Sequence, residues 1–215
     1  MKQIIKILIA VMIGSFVISG CGKSDADKDY GFPLIYIPQA TVTGLDNSYP
    51  IPNGPIGQNS AYSCRYNEST GMLEICLGVI RSGYISDAKG FSVELVVSQE
   101  LTDSKLAEYA TKSVPAQALP LDCCTIPGVI TVPAGKNGST IYLGVDLRKL
   151  AELPLYESGA YKILVLGLQL ANPTAYELAE ENTSVAVVLD LNSQYWNDVA
   201  ENLPESAIRD IFPIY

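Results

Sequence analysis

The apolar positions of this chain fall mostly in short runs, many of them alternating, separated by turn residues. Leu34-Ile35-Tyr36-Ile37 is a short apolar strand, and Ala61 to Tyr66 with Met72 to Ile80 forms a hairpin around Glu68-Ser69-Thr70-Gly71. Phe91 to Ser98 places Phe91, Val93, Leu95 and Val97 on one face. Val129 to Val132 is a short strand and Pro133 to Gly138 a turn. In Thr140 to Leu147, Ile141, Leu143 and Val145 alternate. Tyr161 to Leu170 and Ser184 to Leu191 are rich in Val and Leu and read as central strands. Leu45 to Gln58 carries Pro50, Pro52, Gly54, Pro55 and Gly57, which predict a long loop without regular structure. Helix is scarce. Leu101 to Lys112 has a cap at Thr102 or Ser104 and then Leu106, Ala107, Tyr109 and Ala110 at helical spacing; Pro204 to Phe212 is a second short candidate. Eight or more strands with turns between them predict an all-β sandwich with one or two short helices.

The first 21 residues break this pattern. Lys2 and Lys6 precede an apolar run from Ile7 to Val17, and Ile18-Ser19-Gly20-Cys21 follows. Those are the three regions of a secretory signal peptide in order. The run is too short for a membrane-spanning helix, which needs about 20 apolar residues. Small residues directly before a cysteine resemble a bacterial lipobox, in which signal peptidase II cuts between Gly20 and Cys21 and the thiol is acylated with palmitate-type chains. At roughly 0.8 kcal/mol of membrane affinity per buried methylene, two or three acyl chains hold a protein essentially permanently. The expected organisation is a signal peptide over 1–20, a flexible tether over 21–32, a sandwich over 33–192 and a C-terminal tail over 193–215.

Charge and composition narrow the partners. Removing residues 1–20 leaves 12 basic against 23 acidic side chains, a net charge of −11. This disfavours nucleic acid and anionic lipid, which are bound mainly through Lys and Arg. The chain has no histidine, so it has no Ser-His or Cys-His dyad and lacks the commonest general base and metal ligand. Cys64, Cys76, Cys123 and Cys124 remain after Cys21, in an oxidising compartment where disulfides are permitted. Either Cys64 and Cys76 join across the hairpin, or all four are reduced thiols buried as small apolar groups.

A family resemblance comes from two stretches. One is Ile35-Tyr36-Ile37-Pro38-Gln39-Ala40 directly after the tether. The other is Leu121-Asp122, then Ile130-Thr131-Val132-Pro133-Ala134-Gly135, the strand Ser139 to Leu147 with Leu150, and the strands from Tyr161 and from Ser184 to Asp190. Together they resemble domain of unknown function 1735, found at the N-terminus of Bacteroidetes surface glycosidases and related lipoproteins. The resemblance covers roughly residues 33 to 192. It implies an immunoglobulin-like β-sandwich and no catalytic residues. Larger members carry a hydrolase or lectin-like domain next; here Ser193 to Tyr215 is too short for one. The acidic stretch Asp25, Asp27, Asp29 after the cysteine resembles the surface-export signal of such lipoproteins, although Ala26 and Lys28 interrupt it. The expected location is the outer membrane, lipid-anchored, at the cell surface or otherwise facing the periplasm.

Catalytic motifs are missing. No G-x-S-x-G elbow occurs, and Gly135 to Thr140 has the letters of a phosphate loop at the wrong spacing. Asp25, Asp27 and Asp29 do not open a calcium loop, because its sixth and twelfth positions hold Tyr30 and Tyr36. Glu180-Glu181, and Glu205 with Asp210, lie in polar surface stretches and read as solvated charge. No spacing suggests a metal site, and no cofactor is expected. The aromatic residues are 13 Tyr, 4 Phe and one Trp. Tyr195 and Trp196 are either a glycan platform or a clamp seating the tail, and Tyr49 in the proline-rich loop is a further exposed glycan candidate. The leading expectation is a non-catalytic lipoprotein that binds polysaccharide or a co-encoded surface protein. A fimbrial or adhesin-type structural subunit is the alternative; it is weakened because the first arginine, Arg65, lies inside the expected hairpin rather than in an exposed N-terminal segment.

Overall fold

A computed structural model describes residues 29, 31–44, 46–52, 63–67, 69–151 and 163–191. Twelve strands occur among them: β1 (Leu34–Tyr36), β2 (Ser48–Ile51), β3 (Cys64–Asn67), β4 (Met72–Arg81), β5 (Phe91–Val97), β6 (Ala116–Ala118), β7 (Cys124–Thr125), β8 (Val129–Val132), β9 (Gly138–Asp146), β10 (Ile163–Ala171), β11 (Glu177–Leu178) and β12 (Ser184–Asp190). Helix α1 spans Gln99–Thr111 and α2 spans Leu147–Ala151. One sheet runs β11-β1-β4-β9-β7 with β3 also on β4; the other runs β2-β12-β10-β5-β8 with β6 also on β10. The protein is an all-β, immunoglobulin-like two-sheet sandwich.

The period-2 pattern explains the core. Leu73, Ile75, Leu77 and Val79 of β4 are buried, as are Leu143 and Val145 of β9; Val93 and Leu95 of β5, Leu168 and Leu170 of β10 and Val185, Val187 and Leu189 of β12 meet them from the other sheet. Each such side chain contributes roughly 1.5–3 kcal/mol on leaving water. In the long β4–β9 ladder Met72 faces Asp146 and Ile80 faces Gly138.

Three expectations need correction. The proline-rich segment is not wholly irregular: Ser48 to Ile51 pairs in parallel with Ala186 to Leu189. Pro50 is accommodated because β2 is an edge strand, where an absent N–H breaks no ladder on the open side. Helix α1 is capped by Ser98, whose hydroxyl accepts from Leu101 N at 3.3 Å, rather than by Thr102 or Ser104. Its buried side chains are Thr102 and Lys105; of the residues at helical spacing, Leu106 and Tyr109 are half-buried and Ala107 and Ala110 exposed. Thr102 is taken up by β10: its hydroxyl accepts from Gly167 N at 2.8 Å and donates to Ser98 O at 2.9 Å. Lys105 Nζ lies 3.0 Å from Glu108 and 3.4 Å from Asp46, which gives its buried charge two acidic partners. Finally, Cys64 and Cys76 are free thiols. Cys64 faces Ile75 in the β3–β4 register, one residue out of step with Cys76, so the two side chains point to opposite faces of the sheet. The Pro204–Phe212 helix lies outside the described residues.

At one end of the sandwich Arg81 is almost fully buried. Its Nη2 donates to Asn137 Oδ1 at 3.0 Å and its guanidinium lies 5.1 Å from the Tyr176 ring centre, while Nε and Nη1 have no hydrogen-bond partner. Tyr176 is held in place by Lys89, whose N–H donates to its hydroxyl at 2.8 Å, and by an edge-on contact with Phe91.

Candidate functional site

The chain leaves the first sheet after β11 and enters the second at β12, and residues 179–183 make this crossing along one lateral edge. The crossing is pinned on both sides by backbone bonds. Ala179 N donates to Ile35 O at 2.9 Å, Ile37 N to Asn182 O at 2.8 Å, and Leu170 N to Thr183 O at 2.8 Å. Asn47, just before β2, closes the other wall: its carbonyl accepts from Ala186 N at 2.8 Å and its Nδ2 reaches Ser184 Oγ at 3.5 Å. Asn47 and Asn182 both adopt left-handed backbone, φ 54° and 61°. Asparagine tolerates that conformation better than other side-chain-bearing residues.

Asn47, Glu180, Glu181, Asn182, Thr183 and Ser184 line a cleft of about 260 Å³. Amides offer both donors and acceptors, hydroxyls do the same, and the two glutamates add acceptors. The lining has no basic side chain and no aromatic ring. The cleft can thus offer hydrogen bonds to a polar molecule but no ring for stacking. The sequence showed Glu180-Glu181 only as surface charge. What it did not show is that Asn47, more than 130 positions away, folds against the same turn.

Of the expected glycan contacts, Tyr49 is corrected. It belongs to the core, 4% exposed, with its hydroxyl 3.5 Å from Ser63 O. Burial pushes that hydroxyl well above the usual tyrosine range, with Cys76 and Cys64 nearby adding to the effect. Tyr195 and Trp196 lie outside the described residues, as do Gly20, Cys21, Glu205 and Asp210. Burial raises the Cys64 thiol to about 11 and the Cys124 thiol to about 12, so both stay protonated at neutral pH. Among the described residues no group of three or more acidic, cysteine or histidine side chains is placed to hold a metal, and no helix is long and apolar enough to cross a membrane.

The fold and cleft define a β-sandwich with a polar lateral recess. No family model matches the chain, and no curated protein does. Solved structures from Bacteroides ovatus are similar to it in part. One is a candidate carbohydrate-binding protein, at 10% identity and TM-score 0.45, covering 74% of this chain and 37% of that one. Another is a multidomain protein including domain of unknown function 1735, at 14% identity and TM-score 0.45, covering 73% and 43%. A third, of unknown function, has 16% identity and TM-score 0.49, covering 73% and 45%. The second carries the domain that the sequence stretches resemble. The chain spans less than half the length of each of these proteins.

Proposed function

We propose that this protein is a lipoprotein anchored through Cys21 to the outer membrane, displayed at the cell surface, whose sandwich binds neutral glycan without catalysis. The cleft between Asn47 and residues 180–184 carries this reading. It combines amides, hydroxyls and carboxylates in one recess, the set that satisfies sugar hydroxyls acting as donors and acceptors together. The absence of histidine from the whole chain and the low reactivity of the buried thiols support binding over chemistry.

The test is affinity electrophoresis and a glycan array with the chain from Cys21 to Tyr215, alongside Glu180→Ala/Glu181→Ala. Both glutamates are exposed, so the fold tolerates the change. Loss of hydrogen bonds to charged acceptors is expected to weaken binding by about tenfold or more. No binding to any polysaccharide overturns the reading. Binding that survives the double substitution but is lost in Trp196→Ala moves the site to the tail.

A further inference from the structure

The most exposed large apolar side chain among those described is Phe32, at 81%. It does not stand alone. Residues 31–33 run beside residues 82–84: the Ser82 hydroxyl donates to Phe32 O, Leu34 N donates to Ser82 Oγ at 3.1 Å, and a Cβ on Gly31 would lie 3.1 Å from Gly83 Cα. This brings Tyr84, also exposed, to the same end of the sandwich as Phe32. Lys89 and Lys136 are exposed on the neighbouring loops, which are joined by Gly135 N donating to Ala88 O at 3.0 Å. Asp29 and Asp87 are there too, and the Asp29 carboxylate accepts from Ser86 N at 2.8 Å. On a chain with a strong net negative charge, these two lysines and two aspartates make this end locally balanced.

We propose that this end of the sandwich lies against the bilayer, with Phe32 and Tyr84 seated among the lipid headgroups. The inference rests on the Cys21 anchor proposed above. Phe32 is eleven residues on from Cys21, and a chain of that length reaches at most about 40 Å. The acylated residue therefore holds this patch within a short distance of the membrane at all times. At such an effective concentration even weak interfacial affinity gives a mostly docked population. Aromatic rings and lysine side chains are the groups favoured at that depth. Docking would also fix the orientation of the sandwich and leave its lateral edge, with the cleft, facing sideways along the surface.

The experiment uses the full lipoprotein in phosphatidylethanolamine vesicles whose acyl chains carry bromine, which quenches tryptophan fluorescence at short range. Phe32→Trp is compared with Leu121→Trp, an exposed position beside β7 at the opposite end. The unsubstituted chain, with Trp196 alone, gives the baseline. Phe32→Trp is expected to lose emission and shift to the blue, while Leu121→Trp does neither. Equal quenching at both positions, or none at Phe32→Trp, overturns the orientation. Mass spectrometry of the amino-terminal peptide separates the two ideas. An unacylated Cys21 removes the anchor and this inference together; an acylated Cys21 with an unquenched Phe32→Trp removes the inference alone.

Discussion

Among the described glycines, Gly167 is the position where a single methyl group should do the most damage. It lies in β10 under the first turn of α1, with Ser98 N donating to its carbonyl at 2.8 Å and its own N–H donating to the Thr102 hydroxyl at 2.8 Å. A Cβ added there would stand 2.9 Å from Thr102 N and 3.0 Å from Leu101 Cβ, and closer still to Ser98 O. Two of those three atoms are backbone, so relief requires lifting the helix off the sheet. Overpacking of this kind costs about 1–3 kcal/mol. Losing or stretching the two hydrogen bonds adds about 1 kcal/mol each. Alanine's smaller conformational entropy cost in a strand returns about 0.5–1 kcal/mol. The net for Gly167→Ala is roughly 2–4 kcal/mol, and for a domain of this size each kcal/mol lowers Tm by about 2–4 °C. Thermal unfolding followed by circular dichroism should therefore show a drop of roughly 5–15 °C. Gly128, where a Cβ meets nothing within 4 Å, is the control, and Gly128→Ala should leave Tm nearly unchanged. If Gly167→Ala melts together with Gly128→Ala, the helix does not sit on β10 as described.

Three other outcomes follow from the same structure. Arg81→Met removes a buried guanidinium whose Nε and Nη1 lack partners, so the urea midpoint should hold or rise; a loss above about 2 kcal/mol would show that the charge is compensated after all. Asp46 is held below the usual carboxylate range: burial opposes this, but hydrogen bonds from Thr43 and Ser48 and the charge of Lys105 outweigh it. Its contribution is thus full above its unfolded value near pH 4 and is lost as pH falls further, so stability measured from pH 7 down to pH 3 should decline less steeply in Asp46→Asn than in the parent. On alkylation of the folded chain at pH 8, Cys76 on the outer face should react before the more deeply buried Cys64 and Cys123, and peptide mapping showing Cys64 modified first would contradict the β3–β4 register.

Much of the sandwich was legible because its long strands alternate cleanly. Met72 to Ile80, Phe91 to Val97 and Ser184 to Asp190 each carry a period-2 or continuous apolar signal that local sequence alone supplies. β7 and β11 were invisible because two residues have no period, and β2 was hidden by Pro50, which is a breaker everywhere except on an open edge. The packed face of α1 was not legible for a different reason. Thr102 and Lys105 are buried by partners more than 50 residues away, Gly167 and Asp46, which no helical periodicity encodes. The cleft failed to show for the same cause: Asn47 meets Ser184 only after the sheets assemble.

The rims of the two sheets have a bearing on crowding. Of the strands paired on one side only among the described residues, β7 and β11 offer two residues each, β6 offers three and β2 is interrupted by Pro50, which leaves β3 and β8, of four residues each, as the longer uninterrupted margins. Margins this short are poor templates for a foreign strand. Copies brought close together can therefore stand shoulder to shoulder without zipping into fibres, and a charged residue at Val129, at the start of β8 and 63% exposed, would close one of the two longer margins.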